Sequence, residues 1–570
     1  MSLESKSQEL KDIVAAYDTQ YFLGNLSGLS KHIAKGTAKD QLGKLSSPMR
    51  QLYFLAGLMM SSNPSKGIEI QYSHEEWDKI VELLNEIEGE YEKLFFPEKP
   101  EDVTVEWKKV RQVAMPSFLS YFNQGPLNYE EQVINWTRDL FTPMDSLIEK
   151  ITGVKTEDFI LFYEKLDRLN QNNFQGHTTN KDLLRPNWKD YTKIKMGVAE
   201  GVPDFIKEIG EQQAHLHSFV YDQGMIDRFF PHELVSAELP IEKVIVILNL
   251  LVTNRSQTDF LYYTATKPGN PLYEKPIVDI GDGLFQVFEV KQVMHSIQEL
   301  LERICTQTSE DTTKYVSKKG KLLERKIIEL FTEFFKGDVS VYHSYYVDGC
   351  EQDILILWKN IAFIIEAKGY ALHEPFRNPD KAFVRIKNDF NACIGYGYEQ
   401  TRRVEKKFIE RVPLRLTDNN AKLIAEIDTT KYERSFSIIV NLESFGQIQT
   451  DLSTLLNREN KTDVFPWAIR LDDLEVFLLT LIAQKREPPE LVNFLLMRET
   501  MHGKTICGDE LEICGGYLIG ALNKEVVAKN EVILTTPDLP FVFDEQYYKV
   551  MGFKNEKYLY EKTSGKFMFF

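Results

Sequence analysis

Hydrophobic and polar positions in the first 235 residues recur at helical spacing. The pattern Ser73-His-Glu-Glu76 is typical of a capping box and opens an amphipathic stretch that ends near Lys93. None of the helical segments in this region contains a chemical motif. The pattern predicts a mostly helical N-terminal region over residues 1–235, with further helices over residues 128–150, 155–171 and 203–222.

The pattern becomes mixed after this region. Residues 236–310 combine a buried helix with a hairpin that turns at Asp282-Gly283, which predicts a small α+β module or a lead-in to the next domain. Residues 311–445 predict an α/β core with a central mixed sheet, in the order helix, strand, strand hairpin, helix, strand. The fold class is therefore multi-domain α+β/α/β. The rest is predicted as a mixed α/β C-terminal module that can complete the preceding sheet, with strands at 511–519 and 531–535 and the module spanning 446–570.

Charged residues interrupt two apolar strands in the segment EQDILILWKNIAFIIEAKG, residues 351–369. A tight turn at Lys359-Asn360 places Asp353 opposite Glu366. Because side chains alternate along a strand, Asp353, Glu366 and Lys368 project from one face. Two facing carboxylates repel and are costly to bury, so this pattern favours a divalent cation between them. Oxygen ligands of this kind suit Mg²⁺ or Mn²⁺.

A third acidic residue lies on the preceding helix. In GKLLERKIIELFTEFF, Glu324 is at the centre of an apolar helix face. A glutamate is rarely buried without a partner. We therefore expect this face to pack on the hairpin and Glu324 to point towards the metal site.

Basic residues flank these acids, although the whole chain has a net charge of −17. That acidity argues against a protein that coats nucleic acid nonspecifically. Residues 311–411, however, contain 18 Lys and Arg against 15 Asp and Glu. We predict phosphate contacts in this region, from Lys318, Lys319, Lys321, Arg402 and Arg403.

The order helix Glu324, strand Asp353, strand Glu366-Ala-Lys368 resembles the PD-(D/E)xK nuclease superfamily, which has the restriction-endonuclease-like fold. Gln400, in YGYEQTRRV, matches a glutamine found in many restriction-like and Mrr-like members. The resemblance covers residues 315–442. Gln352 stands where the family motif has a proline, a departure shared by many members.

The resemblance implies metal-assisted hydrolysis of phosphodiester bonds. Asp353, Glu366 and the backbone carbonyl of Ala367 would bind the metal, and Lys368 would orient the attacking water. Glu324 would bind a second metal or a metal-bound water. Gln400 would support Lys368 or contact the phosphate backbone. The substrate is expected to be DNA, and by fold-level analogy the role resembles that of bacterial restriction or antiphage defence nucleases.

Other interpretations stay open at this point. The fold could bind nucleic acid or act as a scaffold without catalysis, or it could cleave RNA. Glu366 and Lys368 could form only a structural salt bridge. A second pattern, Asp279 with Glu289-Val-Lys291, is disfavoured because its hairpin register would keep the acids apart, with Asp279 opposite Gln286. Ordinary structural roles are also expected for two further pairs, His215 with His217 and Cys507 with Cys514.

Cysteine usage and hydropathy indicate the compartment. The chain has five cysteines without a CxxC pair, and the start MSLESKSQELKD lacks an apolar segment. The longest apolar run, residues 244–252, is too short to span a bilayer. We therefore expect a cytoplasmic protein with nucleic acid and no membrane among its partners, and a homo-oligomer is compatible with this function.

Overall fold

A computed structural model describes residues 2–33, 39–68, 74–97, 99–123, 129–174, 223–263, 268–370, 373, 378–550 and 552–554. Ser73 and the residues 203–222, with His215 and His217, lie outside the described residues. Within these ranges no helix is both long and apolar enough to cross a bilayer.

The α-helices, in chain order, are α1 (Leu3–Ala15), α2 (Thr19–Ile33), α3 (Lys39–Leu42), α4 (Pro48–Met60), α5 (His74–Glu92), α6 (Val105–Asn123), α7 (Glu130–Phe141), α8 (Asp145–Thr152), α9 (Thr156–Phe174), α10 (Ile241–Leu251), α11 (Pro271–Glu274), α12 (Val290–Cys305), α13 (Ser309–Phe334), α14 (Pro379–Phe390), α15 (Tyr396–Ile409), α16 (Gln447–Thr450), α17 (Leu471–Ala483), α18 (Pro489–Arg498), α19 (Glu510–Leu518), α20 (Lys524–Lys529) and α21 (Phe541–Val550).

The strands are β1 (Arg228–Phe229), β2 (Val252–Thr253), β3 (Ile277–Gly281), β4 (Leu284–Val287), β5 (Ser340–Val347), β6 (Cys350–Trp358), β7 (Ile361–Lys368), β8 (Leu414–Thr417), β9 (Leu423–Ile427), β10 (Arg434–Asn441), β11 (Trp467–Arg470), β12 (Thr505–Ile506) and β13 (Ile533–Leu534). The fold is thus mixed α/β, as the sequence predicts.

The chain forms two compact units, each built from two separated stretches. The first unit comprises residues 1–94 and 129–311, and the second comprises residues 95–128 and 312–570. The finer division of the chain into four regions stays a prediction.

The first unit combines helices with a four-stranded sheet in the order β1-β4-β3-β2. The hairpin predicted at Asp282-Gly283 is present as β3 and β4. Its register differs from the prediction, because Asp279 lies opposite Phe285 and an irregularity follows before Gly281. Gly281 pairs with Leu284, and Asp282 and Gly283 between them both have positive φ, as a two-residue hairpin turn requires, so the irregularity before Gly281 is what changes the register.

The second unit contains a seven-stranded mixed sheet in the order β11-β10-β7-β6-β5-β8-β9. Strands β5, β6 and β7 are antiparallel, whereas β7, β10 and β11 are parallel. The strand Trp467–Arg470 is therefore the part of the C-terminal region that extends this sheet, as predicted. Because parallel strands end at the same edge, Lys368 and Asn441 lie side by side at the carboxyl end of β7 and β10.

Helices cover both faces of this sheet. Phe331 of α13 and Phe335, the residue after its end, pack on Phe363 of β7. On the opposite face, Val404 and Phe408 of α15 join the buried core of the sheet. The expectation that the apolar face of α13 packs on the hairpin is confirmed.

The prediction of a strand over residues 511–519 is wrong. These residues form most of α19, and Asp509 caps the helix by accepting a hydrogen bond from the backbone N–H of Leu511. The apolar run fits either a short strand or a buried helix, and the cap selects the helix. The strand predicted at 531–535 is present as the two residues of β13.

Candidate active site

The hairpin of β6 and β7 has the predicted register. Its turn places Trp358 opposite Ile361, and the pairing continues to Ile354 opposite Ile365. Lys359 adopts a positive φ of 50°, which a tight hairpin turn requires. One residue beyond the last pair, the backbone N–H of Asp353 donates to Glu366 Oε1 at 3.3 Å.

Three charged groups converge at this end of the hairpin. Lys368 Nζ lies 2.7 Å from Glu366 Oε2 and 3.4 Å from Asp353 Oδ2. The backbone N–H of Ala367 donates to Asp353 Oδ2 at 2.8 Å. The structure therefore brings Asp353, Glu366 and Lys368 together on one face, with one ammonium shared between two carboxylates.

Burial makes the negative charge of this site costly. Glu366 is 0% exposed, and burial together with the nearby Asp353 carboxylate raises the pKa of Glu366 to about 8, against the opposing effect of Lys368. Burial alone would lower the pKa of Lys368, but the two carboxylates raise it above its ordinary value. Near neutral pH the acidic pair therefore retains a proton unless a further cation balances its charge.

Glu324 lies beside this group. Burial and repulsion from Asp353 and Glu351 raise the pKa of Glu324 to about 7, while the Ser344 hydroxyl donates to its Oε2 at 3.5 Å. Glu324 thus interacts electrostatically with the site, as the sequence suggested. Across the described residues, however, no three His, Cys, Asp or Glu side chains form one metal-binding group. The structure does not join Glu324 with Asp353 and Glu366 in such a group.

The start of α15 supports Lys368 from the other side. A π-helical segment, Asn391–Gly395, leads directly into Tyr396 and Gly397. The centre of the Tyr396 ring lies 5.5 Å from Lys368 Nζ. A Cβ atom on Gly397 would lie 3.3 Å from Lys368 Cε, so the helix backbone contacts the lysine stem directly. Neither Tyr396 nor Gly397 could be assigned to the site from the sequence, because nothing in their local pattern marks a π-helical turn.

Gln400 occupies a different place from the one predicted. It is 6% exposed, and its Nε2 donates to the backbone carbonyl of Glu351 at 3.4 Å. Its Oε1 is buried without a hydrogen-bond partner among the described residues. Gln400 therefore ties α15 to the strand that carries Asp353, instead of contacting Lys368.

The predicted phosphate-binding residues differ in accessibility. Arg402 is 6% exposed and forms ion pairs with Glu405 and Asp463, so its guanidinium is occupied and the structure removes it from the candidate nucleic-acid contacts. Arg403 lines a groove along α15. The other residues of the groove are of both charges, including Lys406, Lys407, Arg458, Asp348, Glu399, Glu410 and Glu459.

The basic residues of α13 lie on its accessible side. Lys321 is exposed, whereas Lys318 and Lys319 are half-buried. The ammonium of Lys319 lies 5.7 Å from the ring centre of Tyr315. Lys321 is therefore the most accessible of the three lysines to a phosphate group.

A buried aspartate organises the segment that follows Lys368. Asp389 Oδ1 accepts a hydrogen bond from the Tyr370 hydroxyl at 3.1 Å, and His373 Nδ1 lies 3.0 Å from the same oxygen. The backbone N–H of His373 donates to Asp389 Oδ2. This arrangement could not be predicted from the sequence, because Tyr370 and His373 follow β7 whereas Asp389 lies on α14, and the three residues match no motif.

The disfavoured second pattern proves structural. Glu289 caps α12 by accepting from the backbone N–H of Lys291, and Asp279 accepts from the backbone N–H of Gly281 in its own turn. Cys507 and Cys514 are buried free thiols.

The residues of the main site fit a hard divalent cation. Asp353 and Glu366 supply oxygen donors, and burial together with the nearby Asp353 carboxylate raises the pKa of Glu366, so its charged form is favoured only when a further cation is present. The hydroxyl of Tyr345 is buried without a hydrogen-bond partner in the described part of the chain. Burial and the charges of Glu366 and Asp353 raise its pKa, so this hydroxyl lies within electrostatic reach of both acids. Mg²⁺ or Mn²⁺, with its bound water, suits such a donor set.

Comparison with models of protein families, with curated proteins and with solved structures finds no match to this chain.

Proposed function

We propose that this protein is a metal-dependent nuclease of the PD-(D/E)xK type that hydrolyses phosphodiester bonds in DNA. The observation that carries the proposal is the convergence of Asp353, Glu366 and Lys368 at the end of one hairpin. A structural salt bridge between Glu366 and Lys368 would not need a second acid, whereas a metal site would use the half-buried Asp353 as well. Antiphage defence or restriction is the biological setting that the resemblance suggests.

Each residue has a role in this proposal. Asp353 and Glu366 would hold Mg²⁺ or Mn²⁺, with the Ala367 carbonyl as a further ligand. The cation would activate water and stabilise charge on the phosphate. Lys368, already directed at both carboxylates, would orient the attacking water and neutralise charge on the reacting phosphate. Glu324 would accept a hydrogen bond from a water at the edge of the site.

Cleavage of plasmid DNA in the presence of Mg²⁺ or Mn²⁺ tests the proposal. We expect Asp353→Asn and Lys368→Ala to lower the cleavage rate by at least about a hundredfold, because the first removes a carboxylate that would hold the metal and the second removes the ammonium that would act on the reacting phosphate. The matched control is Asp279→Asn, which removes one exposed acid of the structural pattern. Equal cleavage by wild type and Lys368→Ala would refute the assignment.

A second candidate is a protein that binds nucleic acid with a nuclease fold but without catalysis. Among the described residues, no three His, Cys, Asp or Glu side chains lie close enough together to hold a metal ion, and this observation favours the second candidate. Titration calorimetry with Mn²⁺ separates the two functions. Saturable binding that Asp353→Asn abolishes supports the enzyme, whereas nucleic-acid binding that is indifferent to metal supports the alternative. Parallel digestion of DNA and RNA decides between a DNase and an RNase.

A further inference from the structure

An exposed aromatic side chain lies beside the ammonium group of the candidate site. Tyr396 begins α15, and 54% of the residue is exposed. Its ring centre is 5.5 Å from Lys368 Nζ. In the described part of the chain no other aromatic ring stacks on Tyr396, and the residue is about half exposed to solvent.

The backbone that carries this ring is fixed by close packing. Gly397 contacts the stem of Lys368, and a Cβ atom at that position would also lie 3.2 Å from Ile439 Cγ2. The π-helical segment Asn391–Gly395 directly precedes Tyr396. Such turns are rare in proteins as a whole, and those that occur are often at functional sites. The ring therefore has a defined position relative to Lys368.

Single exposed aromatic residues are common on protein surfaces and need no special explanation. Tyr396 differs because its neighbour is the lysine that, in the proposed function, meets the reacting phosphate. A nucleobase is attached one sugar away from that phosphate. Aromatic side chains in this situation bind bases by stacking, with little dependence on base identity.

Resting on the nuclease function proposed above, we propose that the Tyr396 ring stacks on a nucleobase next to the scissile phosphate. The preferred substrate is then a nucleic acid whose bases are unpaired at the point of cleavage. In a duplex the bases are stacked on each other, and their faces are closed to a protein ring unless a nucleotide is extruded. A single strand, a flap or a gap offers an open base face at no such cost.

A structural role for Tyr396 makes a different prediction. If the ring only held the Lys368 ammonium in place, its loss would lower kcat for every substrate to the same extent. If the ring binds a base, its loss raises KM and does so selectively for unpaired substrates. Comparing kcat with KM on paired and unpaired DNA therefore separates the two roles.

The experiment uses the full chain with Mn²⁺, a labelled single-stranded DNA oligonucleotide and the duplex formed with its complement. We expect wild type to prefer the single strand. Tyr396→Leu should raise KM for the single strand by roughly tenfold to a hundredfold and change the duplex value less. Tyr396→Phe keeps the ring and should behave as wild type. Phe541→Leu, which removes another exposed aromatic of the same unit, is the matched control.

The outcomes separate this inference from the function on which it rests. If Tyr396→Leu has the same KM for the single strand as wild type, the proposed stacking is refuted. It is also refuted if Tyr396→Leu loses kcat equally on the single strand and on the duplex. Both results would leave the nuclease function in place, provided that wild type cuts faster than Glu366→Gln. If wild type cuts neither substrate faster than Glu366→Gln, the proposed function and this inference fall together.

Discussion

The buried carboxyl of Glu366 makes the stability of the metal-free protein depend on pH. Its pKa rises from an ordinary value of 4.5 to about 8, with burial as the largest cause and Asp353 next. At a pH between these two pKa values, Glu366 keeps its proton in the folded chain and has lost it in the unfolded chain. Stability therefore falls as pH rises through this window. Glu366→Gln keeps the size and shape of the side chain and removes this proton.

The size of the effect follows from the same values. Between about pH 5.5 and about pH 8.5, the single shifted carboxyl costs wild type about 3 kcal/mol of unfolding free energy. Lys368 does not offset this loss, because its pKa is raised from 10.5 and its own contribution is lost only at higher pH. Glu324 titrates in both proteins and cancels from the comparison.

Urea unfolding in EDTA, repeated across this pH range, measures the difference, and hydrogen exchange of β6 and β7 assigns it to the site. We expect wild type to lose about 3 kcal/mol more than Glu366→Gln between the two ends of the range. At the alkaline end, Mn²⁺ in hundredfold excess over its Kd should restore about 2.7 kcal/mol to wild type. Parallel pH profiles for the two proteins would refute the assignment of the buried proton to Glu366.

Two further predictions concern neighbouring residues. Arg402→Leu leaves two buried carboxylates without their cation and should lower the free energy of unfolding by about 3–5 kcal/mol. The exposed Arg415→Leu is its control in the same urea measurement, and an equal effect of both would contradict the buried pairing. Gly397→Ala should crowd Lys368 and lower plasmid cleavage by about tenfold or more, with little change in melting temperature. Gly89→Ala, on a helix with open space around the position, should leave cleavage unchanged, and unaltered cleavage by Gly397→Ala would count against the contact with the lysine stem.

The register of the central hairpin could be read from the sequence because a two-residue turn determines every pair that follows it. Lys359 and Asn360 set the turn, and the pairing from Trp358 to Ile354 follows without further information. The meeting of Asp353 and Glu366 is therefore a local consequence of strand geometry. The packing of α13 was also predictable, since its apolar positions have helical spacing.

Contacts between residues far apart in sequence, and irregular backbone turns, could not be predicted from local sequence patterns. Arg402 pairs with Asp463, which is 61 residues away in sequence, and no local pattern distinguishes such an arginine from an exposed one. The contact of Gly397 with Lys368 depends on a π-helical turn that the residue types do not encode visibly. The apolar stretch at α19 was ambiguous for a physical reason, because buried strands and buried helices have the same composition.

Helix α6 has a consequence for how the second unit is made. It packs on α14, where Lys109 lies 6.0 Å from the ring centre of Phe383 and Arg111 pairs with Asp380 at 3.2 Å. During synthesis α6 leaves the ribosome more than 250 residues before α14. Until α14 is made, the apolar face of α6 is exposed to solvent or covered by a temporary partner such as a chaperone. A fragment that begins after residue 311 would lack the helix altogether. Isolating the seven-stranded sheet therefore requires a fused or circularly permuted chain that includes α6, since a fragment without α6 would expose Phe383.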